Sequence, residues 1–433
     1  MDGGLVSADA GTAATSFPVP DEPVPAGLRA RVLGWAVRVL AARAAARSGV
    51  ALVESCAPLP TGPAIIVHGA DAVARRIGTD RLIGFGEAFV NGEWDSPDPA
   101  AALTALAAHM PTLVPGWIQR LRPLTAAARP STESGTPEHV QANVSHHYDL
   151  SNELFAGFLD ETLTYSGALF SATALPDVDR GVTRAPAPGR PRPGALAAAQ
   201  RAKIDRLLDA AAVGPGTRVL EIGTGWGELC RRAAQRGAVV RSVTLSVEQR
   251  DLARRRIAEA GLSHAVTIDL LDYRNVAGRY DAVVSVEMIE AVGAAHWEEY
   301  FAALARLCAP GGRIALQAIT MPHDRMLATL HTYTWIQKYV FPGGMLPSTE
   351  AITEAARTAG LSVRKRHRFG PHYAETLRIW RETFLAVADS LPPPADSPRF
   401  RRLWEFYLAY SEAGFRSGYL DVQQILLTAG DDR

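Results

Sequence analysis

Cysteine is scarce in this chain: Cys56, Cys230 and Cys308 are its only three, none in a CxxC pair or beside a histidine. Neither a disulfide framework nor a zinc site is built from such isolated thiols, and the pattern suits a reducing cytoplasm. An excess of charge of either sign is also missing, since 45 Lys and Arg face 45 Asp and Glu. Without polyelectrolyte character, nucleic acid is not an expected partner. Charges cut every apolar run short of the roughly 20 residues that a spanning helix requires, so contact with a membrane is expected to be peripheral. His146, His147, His323, His331 and His372 show no HxxxH spacing, which leaves no metal site to assign. Residues 1–27 lack the basic and apolar regions of a secretion signal and read, from their Gly, Ala, Ser, Asp and Pro content, as a disordered tail.

What is present is a globular composition, 47% hydrophobic over 433 residues, long enough for a catalytic domain and a smaller companion. Within residues 28–46, Leu28, Val32, Trp35, Ala36, Val39 and Leu40 recur at helical spacing among Arg29, Arg31, Arg38 and Arg43. This predicts a basic helix suited either to anionic headgroups or to packing on its own domain. Short strands are expected at 64–68 and 73–76 and a helix around 103–110, making residues 28–125 a small mixed domain. Residues 126–141 read as a linker, and the proline-rich stretch 176–194 as an insertion loop. From residue 195 strands and helices alternate, the pattern of a doubly wound α/β sheet within a domain spanning 142–433.

The sharpest local signal is Glu221-Ile222-Gly223-Thr224-Gly225-Trp226-Gly227. It follows a short apolar strand and precedes a helical run, where a doubly wound sheet binds nucleotides. A dinucleotide turn needs a third glycine at residue 228, but Glu228 stands there. The turn fits a cofactor without a pyrophosphate, as in class I methyltransferases with their Rossmann-like sheet. Strands expected at 239–246, 280–285 and 314–318 agree with that order. The second of the sheet's strands ends in Thr244-Leu245-Ser246 rather than in an acidic ribose ligand.

Further motifs extend this. His147-Tyr148-Asp149-Leu150-Ser151-Asn152, Leu163-Thr164-Tyr165-Ser166, Thr244-Leu245-Ser246 with Gln249, Phe341-Pro342-Gly343-Gly344-Met345, Phe369-Gly370-Pro371-His372-Tyr373 and Phe415-Arg416-Ser417-Gly418-Tyr419 stand in order along the chain. Together they resemble the cyclopropane-fatty-acyl-phospholipid synthase family, which includes the mycolic acid cyclopropane synthases. The likeness is close over residues 140–427. It is looser over 28–125, which resembles the lipid-binding domain of the phospholipid-acting members.

The resemblance implies methyl transfer from S-adenosylmethionine to a cis double bond of a phospholipid acyl chain by a peripheral membrane enzyme, often a homodimer. The expected cofactor set is Tyr165, Ser166, Glu221, Gly223, Gly225, Gly227, Thr244, Leu245, Ser246, Gln249, Asp272 and Tyr273. An alkene is a weak nucleophile, so the methyl must be held close in a dry site, and the carbocation that follows needs aromatic faces and a base. The resemblance makes that base a bound bicarbonate, held by Glu290, Tyr373 and the backbone of Ile319. Gly167 and Gln317 occupy positions where many members carry cysteine and histidine, and Ser411 matches another cysteine; Gln317 donates a hydrogen bond but does not titrate. Proton loss from the methyl closes a cyclopropane. The alternative proton loss, after the charge has shifted along the chain, gives a methylene branch, which a separate reductase converts to a methyl branch. A small-molecule methyltransferase and a non-catalytic lipid- or cofactor-binding protein are the competing readings. The aromatic run 332–341 suits an acyl tunnel or plain core packing equally.

Overall fold

The computed structural model describes residues 19–20, 22–55, 61–113, 150–171, 194–330 and 332–430. The expected linker 126–141, most of the insertion 176–194, the His147-Tyr148-Asp149 motif, Cys56 and His331 lie outside the described residues.

The N-terminal elements surround a small sheet of β1 (Ala51–Glu54), β2 (Ala64–Val67) and β3 (Trp94–Asp95), with β1 and β2 parallel and β3 antiparallel to β2. The first helix runs Leu28–Ser48. It turns Ala30, Gly34 and Ala45 inward and leaves Leu28 79% and Trp35 64% exposed, with Val32 and Val39 also outside. Its small residues face inward because it crosses the helix Ala70–Asp80 closely: a Cβ on Gly78 would lie 2.9 Å from the Leu33 Cβ. Residues 73–76, expected as a strand, belong to that second helix. Val73, Ala74 and Ile77 follow helical spacing, and buried Arg76 reaches across to Glu93 (2.9 and 3.0 Å).

A stretch in which apolar residues point to both faces suits a parallel strand covered on both sides. Val219, Leu220 and Ile222 supply it in β4 (Arg218–Ile222), and Ala282, Val283 and Val284 in β7 (Tyr280–Val286). With β5 (Val239–Thr244), β6 (Val266–Leu270), β8 (Cys308–Thr320), β9 (Leu361–Arg368) and β10 (Asp421–Ala429) they form one sheet in the order β6-β5-β4-β7-β8-β10-β9. The first five are parallel, and β10 runs antiparallel to both its neighbours. Chain order reverses between β4 and β7, and the crevice at their carboxyl ends is where such sheets bind ligands.

The C-terminal helices Gly370–Val387 and Pro398–Arg416 tie the small sheet to the large one. Phe406 packs on Phe89 (5.4 Å between ring centroids) and Trp94 (6.3 Å), while Arg402 donates to the carbonyls of Phe89 and Trp94. The apolar core therefore runs unbroken from Phe89 to Phe415. The aromatic run 332–341 divides: Trp335 and Tyr339 are buried in that core, whereas Phe341 and Tyr333 are only partly covered.

Candidate active site

Gly223, Gly225 and Gly227 all have positive φ (94°, 51° and 88°), so the turn leaving β4 uses a left-handed backbone at each glycine. A Cβ on Gly223 would meet the Met288 side chain at 2.7 Å and one on Gly227 would meet Ala253 at 3.0 Å, while Gly225 faces open space. Bare backbone at a sheet edge with space above it is the cradle that an adenosyl cofactor requires. The helix Glu228–Gln235 opens with the buried Glu228, whose carboxylate pairs with Arg231 (2.9 Å) and Arg256 (3.5 Å). A carboxylate already sits where a pyrophosphate would need the helix N-terminus.

Glu221 supports the turn from beneath. Burial pushes its carboxyl up to about 8, and it accepts from Ser242 Oγ (2.5 Å), which also meets Thr224 Oγ1 (2.7 Å). After β5, Thr244 Oγ1 donates to Gln249 Oε1 (2.9 Å), and the Gln249 N–H donates to Ser246 Oγ (3.1 Å), capping the helix Val247–Glu259. Leu245 stays half-buried on this turn. Asp272 is engaged by Arg274, and Tyr273 packs edge-on against Tyr300 (5.4 Å). Trp226 binds the first motif to the turn by donating from Nε1 to Asn152 Oδ1 (2.7 Å). Tyr165 meets the Tyr407 hydroxyl (2.7 Å) and lies beside Trp380 (5.2 Å), and Ser166 Oγ accepts from buried Lys203 Nζ (2.6 Å).

The other side of the crevice is built from β7 and β8. Val286 pairs with Gln317, so Glu287 and Glu290 emerge beside β8. Glu290 Oε1 accepts from the Ile319 N–H (2.6 Å), whereas its Oε2 has no hydrogen-bond partner among the described residues. The segment before Gly167, the strand β8 and the helix Gly370–Val387 then converge on Glu287, which the motif reading did not single out. The Gly167 N–H (3.0 Å) and Gln317 Nε2 (2.8 Å) donate to its Oε1, and the Tyr373 hydroxyl donates to its Oε2 (2.8 Å). Gln317 is saturated, since Nε2 also donates to the Gly167 carbonyl (3.1 Å) and Oε1 accepts from Gln424 (3.2 Å). Any Cβ at 167 would meet the Tyr373 ring at 2.8 Å, so glycine lets Tyr373 close. The five expected residues Gly167, Glu290, Gln317, Ile319 and Tyr373 thus stand together, with Glu287 among them.

Burial raises both carboxyls, but unequally in cause. Glu290 is pushed up to about 8 by desolvation and then by the charge of Glu287, against the backbone N–H groups of Ile319 and of Glu290 itself. The rise at Glu287 is opposed by Lys203 and by its three donors. Lys203, fully buried, is lowered to about 8 by desolvation. Aromatic faces border the group, with Tyr373 stacked on Phe415 (4.5 Å) and edge-on to Trp380 (6.2 Å).

The sheet order and the glycine cradle define a class I S-adenosylmethionine-dependent methyltransferase. More narrowly, residues 136–425 match the mycolic acid cyclopropane synthetase family, and the chain belongs to it. It is 57% identical over 366 residues, 84% of this chain and 83% of the relative, to a tuberculostearic acid methyltransferase of Mycobacterium tuberculosis. To a cyclopropane-fatty-acyl-phospholipid synthase of Escherichia coli it is 31% identical over 360 residues, 82% of this chain and 85% of the relative. A cyclopropane synthase structure from Mycobacterium tuberculosis superposes with a TM-score of 0.56 at 30% identity, covering 66% of this chain and 97% of that one. A mycolic acid cyclopropane synthase complexed with S-adenosylhomocysteine (SAH) covers the same shares at a TM-score of 0.55 and 29% identity. The enzyme is thus an S-adenosylmethionine-dependent methyltransferase of the cyclopropane synthase family.

Proposed function

We propose that this enzyme adds a methyl group to the cis double bond of a monounsaturated phospholipid acyl chain and releases a methylene-branched chain. The observation that carries this is the meeting, at one sheet edge, of the glycine cradle with a carboxyl cluster walled by aromatic rings. The relative at 57% identity, named for tuberculostearic acid, supports a branch over a ring.

S-adenosylmethionine, when bound, supplies an electrophilic methyl on a sulfonium. Gly223, Gly225 and Gly227 leave room for the cofactor, and the turn of Thr244, Ser246 and Gln249 flanks it. Tyr165, Tyr373, Trp380 and Phe415 exclude water and present ring faces to the positive charge that forms when the alkene is alkylated. Gaining a methyl cation and losing a proton leaves the chain still unsaturated. A saturated methyl branch therefore needs a two-electron reduction by a separate enzyme.

Membrane contact falls to the first helix, whose outward Leu28, Val32, Trp35 and Val39 lie among arginines. Such a face suits the headgroup region of an anionic bilayer. No helix among the described residues is long and apolar enough to cross a membrane.

Labelled S-adenosylmethionine with vesicles of monounsaturated phospholipid tests the reading. Label is expected in the acyl chains as a methylene branch, distinguished by fragmentation from a cyclopropane of equal mass. Label only in soluble acceptors, or cyclopropane alone, overturns it.

A further inference from the structure

The resemblance allots a bicarbonate to the group around Tyr373, and the residues present do not fit one. The Gly167 N–H, Gln317 Nε2 and the Tyr373 hydroxyl already end on Glu287, and the Ile319 N–H ends on Glu290. A second anion would find these donors taken and would stand against two carboxyl groups, an arrangement that like charge disfavours.

We propose that Glu287 is itself the catalytic base, an internal carboxylate occupying the place of an exogenous one. This deepens the acyl-chain reading above and rests on it.

Three independent features support the assignment. Glu287 holds φ at 52°, in the left-handed region that side-chain-bearing residues rarely adopt. Strain of this kind persists where surrounding structure fixes a functional group. The carboxylate is then held by donors from three separated parts of the chain, which fix its position and, with Lys203, oppose the upward push of burial on its pKa. Finally, the two departures at 167 and 317 acquire one explanation. With the base supplied by the chain, residue 317 needs only to donate, which Gln317 does without titrating. Gly167 in turn lets the Tyr373 ring approach near enough to reach Glu287. Glu290 is the weaker candidate, because only backbone N–H groups reach its carboxyl and its Oε2 has no hydrogen-bond partner among the described residues, so less holds it in the ionised form.

The step balances. Methyl transfer forms a carbon–carbon bond at one alkene carbon and breaks the sulfur–methyl bond, leaving SAH and a positive charge on the neighbouring carbon. A hydride shift from the methylated carbon to its charged neighbour moves the charge onto the carbon that bears the new methyl. Glu287 then takes a proton from that methyl, and the C–H electron pair becomes the double bond of the methylene branch. The protonated carboxyl returns its proton to water when product leaves.

Glu287→Gly tests this directly, since glycine accepts the backbone angle and frees three converging donors. Activity is followed in buffer stripped of carbon dioxide, with bicarbonate or formate then added, and SAH binding is measured alongside. The parent enzyme is expected to turn over equally with and without bicarbonate. Glu287→Gly is expected to bind SAH normally, to lose activity by about 100-fold or more, as removal of a general base does, and to regain at least about tenfold with either anion. Glu287→Gln, which keeps the shape and blocks the added anion, is expected to stay inactive. A parent enzyme that needs bicarbonate overturns the proposal. So does a Glu287→Gln variant of normal activity, or a Glu287→Gly variant that binds SAH but is rescued by neither anion. If the parent labels no acyl chain in any buffer, the acyl-chain reading itself fails and takes this one with it.

Discussion

The turn after β4 and the segment after β7 leave adjacent strands at the same edge of the sheet, yet they form their halves of the site by different means. The cofactor side uses backbone: three glycines at positive φ and a cap made by Thr244, Ser246 and Gln249 within a few residues of one another. The carboxyl side uses side chains brought from far apart, with donors to Glu287 lying 120, 30 and 86 positions away in sequence. The first half is built by local conformation and the second by the fold, and Met288, next to Glu287 and packed on Gly223, joins them.

Substitution at Gly223 is expected to have the largest effect, because it strikes this junction. Gly223→Val combines a disfavoured φ of 94° with a clash against Met288, costs that together amount to roughly 2–5 kcal/mol. Calorimetric titration with SAH is expected to show binding weakened by about 100-fold or more, with turnover lost in parallel. Gly225→Ala sharpens the point. Its Cβ meets open space, so only the backbone term of about 1–2 kcal/mol remains. Equal losses in the two variants would show that packing against Met288 contributes nothing.

Tyr373→Phe tests the opposite half. It removes the hydroxyl that donates to Glu287 and leaves the ring stacked on Phe415. Turnover is expected to fall by roughly 10- to 100-fold while SAH affinity stays unchanged. A matching fall in SAH affinity would break the division between the halves.

The same division decided what could be read from sequence. Left-handed turns demand glycine, so the cofactor half is written in residue types at fixed spacing, and the central strands β4 and β7 beside it as short, mainly apolar stretches. Gly167, Gln317, Ile319, Glu290 and Tyr373 could be gathered only through family resemblance, because nothing local distinguishes Tyr373 from a core tyrosine. Glu287 carries no local mark in Val286-Glu287-Met288. Its role depends on its backbone angle and on partners the fold supplies. Residues 73–76 were misread for a related reason: a few residues fit period two and period 3.6 alike, and packing against the first helix decides. That helix was legible as a helix, but its inward face proved to be the small residues and its outward face the large apolar ones.

Its outward face gives a smaller effect outside both halves. Changing Leu28 and Trp35 together to glutamate removes exposed apolar surface and adds negative charge among the arginines. Co-sedimentation with anionic vesicles is expected to fall by about tenfold or more, while turnover of detergent-dispersed lipid holds. Unchanged sedimentation would remove this helix from the membrane contact.

The smallest effect separates the two carboxyls of the second half. Glu290 stands near 8 in the folded protein against an ordinary 4.5. Between those values the folded chain keeps a proton that the unfolded chain has lost, so stability declines as pH rises through this window and levels above it. Glu290→Gln mimics the protonated form and never titrates. Its melting temperature relative to the parent is expected to climb from pH 5 to pH 8.5 by about a few degrees. The extra amide N–H adds an offset that does not vary with pH, so the slope carries the test. Glu287 and Glu221 titrate in both proteins and largely cancel in the difference. A flat difference would mean that Glu290 is ionised throughout, and the contrast between the sparsely held Glu290 and the Glu287 held by three donors would lose its electrostatic basis.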